Sequence, residues 1–230
     1  KIFSLFALSG ILVIGSCKDE TEEMTTITQD ETPYVMNIED LPAPVIASDN
    51  PLPKQGVKLG RMLFYDTQLS GDGTISCGSC HRQKHAFADS NTFSIGIDGL
   101  PGGRQAMAII NMAWNTNEFF WDGRAHLLRD QSLLPIQDSL EMAETLPNAV
   151  AKLNDEQAYK DQFKRAFGSE EITSTKMSLA MEQFMNSIVS VESKFDKVQR
   201  GDDTFTPSER RGRQLFFTEY NQFFPDSSGA

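Results

Sequence analysis

One short segment restricts this chain more than any other: two cysteines separated by two residues and followed at once by a histidine, Cys77-Gly78-Ser79-Cys80-His81. Two thiols at this spacing can each add to one vinyl group of a haem, and the adjacent histidine then becomes an axial ligand of the iron. The motif therefore predicts a domain that folds around one covalently bound haem c.

Three other interpretations of the motif remain open at this point. A thioredoxin-like dithiol lies between a strand and a helix of a βαβ unit, and no such pattern surrounds Cys77. A zinc site could combine the motif with His85, although adjacent Cys80 and His81 rarely reach one tetrahedral ion together. The third interpretation is a chance match. We predict haem c, bound through Cys77, Cys80 and His81.

The N-terminal residues indicate export. The apolar run Ile2–Ile14 follows Lys1, and it is too short for a membrane span but suits the hydrophobic region of a signal peptide. The junction at Cys17 resembles the processing site of bacterial lipoproteins, and acyl chains on one residue would hold the protein at a membrane. The alternative is a cleaved signal with an incidental cysteine. We predict a lipoprotein-type signal peptide over residues 1–16 and a periplasmic protein anchored through Cys17.

The rest of the chain divides by composition. Residues 17–50 are rich in Thr, acidic residues and Pro, which predicts a flexible tether. Residues 51–200 are predicted to form a mainly α, cytochrome c-like haem domain with long loops, and residues 201–230 to begin a second, similar domain. Apolar periodicity and capping residues predict helices over Val57–Tyr65, Gly103–Trp114, Leu146–Leu153, from a cap at Asn154 through Phe167, and over Thr173–Phe195.

An internal similarity supports the second domain. The segment Gly60-Arg61-Met62-Leu63-Phe64 recurs as Gly212-Arg213-Gln214-Leu215-Phe216, and the second copy follows a helix start at Thr206-Pro207-Ser208-Glu209. The first copy leads to the Cys77 motif. By the same spacing, we predict a second Cys-x-x-Cys-His shortly after Ala230, and hence a second haem in the intact protein.

The net charge of the chain and its candidate ligands for the haem iron limit the functions that it could have. A formal net charge of −11 argues against nucleic acid as a partner, because phosphate binding needs clustered Lys and Arg. A haem iron with both axial positions filled transfers electrons, whereas an open face activates small oxygen species. His85 and His126 are interpreted as solvated, and Met177 and Met181 as core residues of a helix. No sixth ligand is evident, which favours an open face.

Further blocks stand in a recognisable order along the chain. They are Gly60-Arg61-x-Leu63-Phe64, Leu69-Ser70, Gly73 through His81, Ala86-Phe87-Ala88-Asp89, Gly96, Gly103-Arg104, Phe120-Trp121-Asp122-Gly123-Arg124, Gln131 and Glu141-Met142. With these blocks, residues 51–230 resemble the bacterial di-haem cytochrome c peroxidase family, including its relatives that mature methylamine dehydrogenase.

The resemblance implies roles for individual residues. His81 would be the proximal ligand of the peroxidatic haem, Glu141 its distal acid–base, and Gln131 a neighbour in the same pocket. Trp121 would stand on the electron path between two haems. From the residues alone, Trp121 could be a core indole, Arg124 a helix-end residue or a partner of a haem propionate, and Glu141 an acid in the first turn of a helix. We include Arg124 among the residues predicted to bind the haem.

The chain also departs from the family pattern. Members that need reductive activation carry a distal His in the loop before the Gly-Arg segment, where this chain has Ile97 and Asp98. We therefore predict a peroxidatic haem that is not capped by His and needs no prior reduction. The family's Gly-Arg-Asn, whose Asn helps to hold Ca²⁺ between domains, becomes Gly103-Arg104-Gln105, which argues against Ca²⁺.

The predicted function is that of a periplasmic haem peroxidase. It would reduce hydrogen peroxide to water with electrons from a small cytochrome c or cupredoxin, delivered through the second haem. Two alternatives stay open: a c-type electron-transfer cytochrome with no chemistry of its own, and a di-haem oxidase of a protein or small-molecule substrate.

Overall fold

The computed structural model describes residues 26–115 and 118–218, and this part of the chain is mainly α-helical, as predicted. Its only β-structure consists of isolated bridges. Three short 3₁₀ turns, Thr67–Leu69, Gln83–His85 and Met112–Trp114, interrupt the loops. The helices are α1 (Lys54–Tyr65), α2 (Cys77–Cys80), α3 (Leu128–Gln137), α4 (Leu146–Asn154), α5 (Gln157–Phe167), α6 (Ser174–Asn186), α7 (Lys194–Arg200) and α8 (Pro207–Phe217).

The core is centred on the contact between α1 and α6. Helix α1 presents Gly56 and Gly60, one turn apart, to α6. A Cβ on Gly60 would lie 1.9 Å from the carbonyl oxygen of Ala180, so only glycine permits this close approach of the two helices. The neighbouring turns of α1 bury Leu63 and Phe64 in the same core, to which α3 and α5 also contribute.

A buried polar network joins α3 and α6 to the chain that precedes α1. Arg129 on α3 pairs with Glu182 on α6 at 3.0 Å and with Asp49 at 2.8 Å. The amide of Asn50 donates to Glu182 at 2.6 Å. Because buried charges are stable only when they are paired, the network fixes the segment around residue 50 against the haem domain.

The part of the predicted tether that the structure describes, residues 26–50, differs from a flexible chain. It runs along the helical domain and forms backbone hydrogen bonds from Asp30 to Arg165 and from Val45 to Ala113, both of 2.9 Å. Two of its side chains, Met36 and Ile46, pack against the core. Isolated apolar residues in a polar stretch carry little periodic signal, and the sequence analysis therefore did not recognise them.

The predicted helix over Gly103–Trp114 is wrong. Only Met112–Trp114 forms a helical turn, and residues 103–111 have no regular secondary structure. Their backbone groups bond to distant partners instead, from Ile109 to Phe87 and from Asn111 to Ile188. Long-range hydrogen bonds of this kind compete with the local bonds on which a helix prediction rests.

The helix predicted over Thr173–Phe195 is shorter than expected and is followed by a separate helix. Helix α6 ends at Asn186, and α7 starts after Ser193, whose side chain exchanges hydrogen bonds with the backbone and side chain of Asp196. Asn111 holds the connecting segment through both polar groups of its side chain, which bond to the backbone of Ser190.

Two smaller errors have local causes. Asn154 is the last residue of α4 and its amide donates to Val150, so it does not cap α5, which begins after Glu156. Helix α3 was missed because it is only weakly amphipathic and contains Pro135. In the ranges described, no helix combines the length and the apolar character that crossing a membrane requires. The predicted signal peptide, Cys17 and the chain after residue 218 lie outside the described residues.

Candidate haem site

The Cys-x-x-Cys-His segment forms a single helical turn, α2, which packs against α1. The backbone of Ser76 donates to the hydroxyl of Ser79 at 3.0 Å, which satisfies one end of the turn. Gly78 lies against the ring of Tyr65, where a Cβ would come within 2.4 Å of the ring. The two residues between the cysteines are therefore small and polar for reasons that the fold itself supplies.

His81 is held in one orientation. Its Nδ1 lies 2.8 Å from the carbonyl oxygen of Phe87. The turn that brings this carbonyl back has Ala86 and Phe87 in the left-handed region, with φ of 57° and 56°. Burial lowers the pKa of His81, although backbone hydrogen bonds oppose the effect. A neutral imidazole whose Nδ1 is bonded to a carbonyl has Nε2 free for a metal, as ligating histidines usually do.

A cavity of about 440 Å³ adjoins this turn, and it is lined mainly by apolar side chains. All seven side chains that the sequence analysis singled out line it: Cys77, Cys80, His81, Trp121, Arg124, Gln131 and Glu141. Burial raises the pKa of Cys77 to about 12, so its thiol stays protonated. Two thiols and an oriented imidazole on one wall of a large apolar cavity fit a covalently attached haem.

The competing interpretations of the motif find no support in the fold. A thioredoxin-like dithiol needs a preceding strand, whereas the chain before Cys77 is an irregular loop. His85, the fourth ligand of the zinc interpretation, is exposed on a 3₁₀ turn. Throughout residues 26–115 and 118–218, no three His, Cys, Asp or Glu side chains are grouped so that they could hold a metal ion.

Trp121 stands at the tip of a hairpin over the cavity. Phe119 and Ala125 pair across the hairpin, and the indole Nε1 donates to the carbonyl of Gln105 at 2.8 Å. The side chain is 61% exposed, so the interpretation of Trp121 as a core indole is wrong. The hairpin presents a large aromatic surface outwards and keeps it fixed by one hydrogen bond.

Arg124 stabilises the same hairpin through contacts with two of its residues. Its guanidinium lies 3.6 Å from the centre of the Phe120 ring, a cation–π contact, and it bonds to Asp122 at 3.1 Å. Asp122 also pairs with Arg104 at 2.9 Å. Phe120 has a φ of 68°, a conformation that non-glycine residues adopt only when their surroundings enforce it. Arg124 is thus part of a hairpin, and the helix-end alternative is wrong.

Glu141 is presented by the loop between α3 and α4. Its carbonyl accepts from the backbone of Ile97 at 3.0 Å, and Gly96 packs so tightly that a Cβ would lie 2.0 Å from the carbonyl oxygen of Leu140. Because Glu141 belongs to no helix, the first-turn alternative is wrong. Burial raises the pKa of Glu141, the negative charge of Asp138 raises it further, and Arg124 acts in the opposite direction.

An ion pair holds the Glu141 loop against α4. The buried carboxylate of Glu144 lies 2.5 Å from Nζ of Lys152 on α4. The same ammonium donates to the carbonyls of Gln68 and Ser70 at 3.1 and 2.9 Å. The loop that carries Glu141 is therefore connected to the loop before the cysteines, and both define the position of the carboxylate relative to the thiols.

Gln131 reaches the cavity from α3. Four residues later Pro135 lacks an N–H and cannot donate to the carbonyl of Gln131, which interrupts the helix next to the cavity. The α3 chain ends soon afterwards, at Gln137, and turns into the Glu141 loop. The two residues therefore come from adjacent parts of one helix–loop segment.

The cavity also contains residues that no sequence pattern assigned to it. Four methionines line it: Met107, Met112 and Met185, together with Met142 of the Glu141-Met142 block. Met185 lies on α6 beside the core residue Met181, and no periodic signal distinguishes the two. Gln105 contributes through its backbone to Trp121, and its amide donates to the carbonyl of Asp89 at 3.0 Å. These contacts depend on chain segments that are distant in sequence.

Comparisons with known proteins agree with this site. Residues 54–204 match the family model described as di-haem cytochrome c peroxidase. The chain is 39% identical over 160 residues to a cytochrome c551 peroxidase of Nitrosomonas europaea, covering 69% of this chain and 48% of that protein. It is 36% identical over 169 residues to the methylamine utilization protein MauG of Methylorubrum extorquens, covering 73% and 48%.

A solved structure gives the same result. The crystal structure of a MauG-like protein associated with microbial copper homeostasis superposes with a TM-score of 0.72 at 33% identity, covering 81% of this chain and 55% of that one. The chain thus spans about half the length of these relatives. It belongs to the di-haem cytochrome c peroxidase family, and membership implies covalently bound haem c.

Proposed function

We propose that this chain is the hydrogen peroxide-reducing part of a periplasmic haem peroxidase. The observation that supports the proposal best is one cavity lined both by the Cys77–His81 motif and by the partly buried Glu141. Family membership agrees with a peroxidase, and the match to about half of each relative agrees with a second haem domain in the intact protein.

In this proposal, Cys77 and Cys80 hold the haem by thioethers and His81 ligates its iron. When bound, the haem supplies the redox equivalents for cleavage of the O–O bond. Glu141 takes a proton from one oxygen of hydrogen peroxide and returns it to the other, so that water leaves. Gln131 orients the peroxide by hydrogen bonding, and Arg124 holds the hairpin and binds the haem propionates.

Electron supply and location complete the proposal. Trp121 is the residue we assign to the electron path, because its indole is exposed and yet fixed in place. The donor is a small cytochrome c or cupredoxin in the periplasm, and a lipid on Cys17 holds the protein at the membrane.

Replacing Glu141 by Gln in the haem-loaded protein tests the acid–base role. The amide cannot accept and return the proton, and general acid–base groups contribute about 10²–10⁴-fold, so peroxide reduction should fall by that factor. The haem spectrum should remain unchanged, because the substitution is nearly isosteric. Glu118→Gln is the matched control, since Glu118 lines the same cavity but is exposed. Equal turnover in Glu141→Gln and wild type would refute the role of Glu141.

The pH dependence gives an independent measure of the same group. Glu141 must be ionised to accept a proton, and burial raises its pKa. The rate with peroxide should therefore fall as the pH decreases through a value above that of an ordinary glutamate. Glu141→Gln should remove this step from the pH–rate profile, whereas Glu118→Gln should preserve it.

The four cavity methionines favour a second candidate, an electron carrier, because a thioether can be a sixth iron ligand. That function predicts a low-spin iron in every redox state and no reaction with peroxide. A high-spin oxidised iron that reacts with peroxide would select the peroxidase instead. An oxidase of a protein or small molecule would use the same cavity and would differ in its substrate.

A further inference from the structure

A second, smaller cavity of about 350 Å³ adjoins the first at Glu141. It is enclosed by the end of α3, the Trp121 hairpin and the Glu141 loop. Five residues line both cavities: Phe120, Arg124, Pro135, Asp138 and Glu141. Glu141 therefore faces two spaces, the large one with the cysteines and the small one without them.

The small cavity opens to solvent along α3. Leu134 and Gln137 line it but not the large cavity, and both are exposed. Leu134 is 39% exposed and stands at the outer end. Glu141, which is partly buried, stands at the inner end. The small cavity thus provides a route from the surface to a carboxylate that also lines the cavity with the thiols.

The walls indicate what could use this route. Apolar surface comes from Phe120, Leu134 and Pro135. These side chains limit the width of the small cavity and form no hydrogen bonds to a solute. Arg124, Gln137 and Asp138 offer hydrogen-bonding groups, and the two charges are of opposite sign. Such a wall favours a small neutral molecule with donors and acceptors over an ion, because the ion would lose its hydration without a dedicated partner.

The haem that the Cys77 motif predicts would fill the large cavity, so this cavity is not available as an entrance for solutes. A solute that must reach Glu141 then needs a separate entrance. We propose that the small cavity is the entrance for hydrogen peroxide, and that Leu134 sets the size of molecule admitted. This inference rests on the proposed peroxidase function and assigns Leu134 a role in access, without contact with the reacting atoms.

Leu134→Trp in the haem-loaded protein should narrow the entrance. Association rates at an obstructed site fall while the equilibrium is preserved, because entry and exit slow together. We expect the rate constants for hydrogen peroxide and for cyanide to drop by about tenfold, with an unchanged cyanide dissociation constant. Leu127→Trp is the matched control, because Leu127 is 38% exposed at the start of α3 and lines neither of the two cavities.

Two further variants keep the test decisive if Leu134→Trp does not fold. Gln137→Phe should slow cyanide and peroxide in the same way. Leu134→Ala should leave hydrogen peroxide unaffected and accelerate the reaction with the bulkier tert-butyl hydroperoxide several-fold. Stopped-flow absorbance at the Soret band measures all of these rates, and cyanide reports access independently of turnover.

The possible outcomes distinguish the proposal of an entrance from the proposed peroxidase function on which it rests. If wild type reacts with both ligands and the Leu134 and Gln137 variants match Leu127→Trp, the small cavity is not the entrance, and the peroxidase proposal stands. If Leu134→Trp changes the cyanide equilibrium as much as the rate, Leu134 acts on the haem pocket and the access role is overturned. A wild-type iron that binds neither cyanide nor peroxide would overturn both proposals.

Discussion

Helices α1 and α8 carry nearly the same five residues and have opposite environments. In α1, Leu63 and Phe64 are buried. Gly60 lies so close to α6 that a Cβ would be 1.9 Å from the carbonyl oxygen of Ala180. In α8, Phe216 is 83% exposed, and a Cβ on Gly212 would have no neighbour within 4 Å. Both segments are helical, although only α1 is packed in the core.

The difference teaches what each helix depends on. Helix α1 starts after Pro53 without any side-chain cap, and its burial against α6 makes local signals unnecessary. Helix α8 buries none of its residues and starts with reciprocal bonds between Thr206 and Glu209. Lys194 on α7 also bonds to Glu209 at 2.7 Å, and together with Thr206 it lowers the pKa of Glu209 to about 2. Short helices without tertiary support are marginal in water, which makes such local contacts decisive.

The largest expected contrast is between Phe64→Ala and Phe216→Ala. Phe64 is 1% exposed, and its ring centre lies 5.2 Å from that of Phe184 and 6.4 Å from that of His81. Truncating it should lower the free energy of unfolding by about 3–5 kcal/mol, and Phe216→Ala by less than about 0.5 kcal/mol. Denaturant unfolding of both variants measures the contrast, and equal losses would show that α8 is packed in solution.

A smaller contrast is expected for the two glycines. Gly60→Ala would force a methyl group against the backbone of Ala180, and overpacking of this kind costs about 1–3 kcal/mol. Gly212→Ala should instead stabilise α8 by about 0.5–1 kcal/mol, because alanine has the higher helix propensity. Thermal unfolding of the two variants should therefore shift in opposite directions. A destabilising Gly212→Ala would mean that another surface covers this face of α8.

The smallest effect is expected at the start of α8. Thr206→Ala removes the cap and should cost the helix about 1 kcal/mol. Because α8 contributes nothing to the core, the loss should be local: amide hydrogen exchange should accelerate in α8 while exchange in α1 and α6 stays unchanged. Thr206→Ser, which retains the capping hydroxyl, is the control. Faster exchange in α6 would show that α8 supports the haem domain.

Prediction from sequence succeeded where the signal is local or where chemistry demands certain residues together. Helices α1, α4 and α8 follow from apolar spacing and capping residues. The resemblance named Glu141 and Gln131, which line one cavity with Cys77, Cys80 and His81. Prediction failed for residues 103–111, which form no helix because the backbone N–H groups of Ile109 and Asn111 bond to distant segments. It also overestimated α6, whose end depends on Asn111.

By itself, the sequence determined the mainly α composition and the membership of a family, and it predicted haem attachment through Cys77, Cys80 and His81. These follow from residue type and short spacing, which act within a few residues along the chain. Only the tertiary structure decided that Trp121 is exposed, that Glu141 lies in a loop between two cavities, and that one of two similar helices is buried. Burial and cavity shape arise from contacts between distant segments, and no local pattern encodes them.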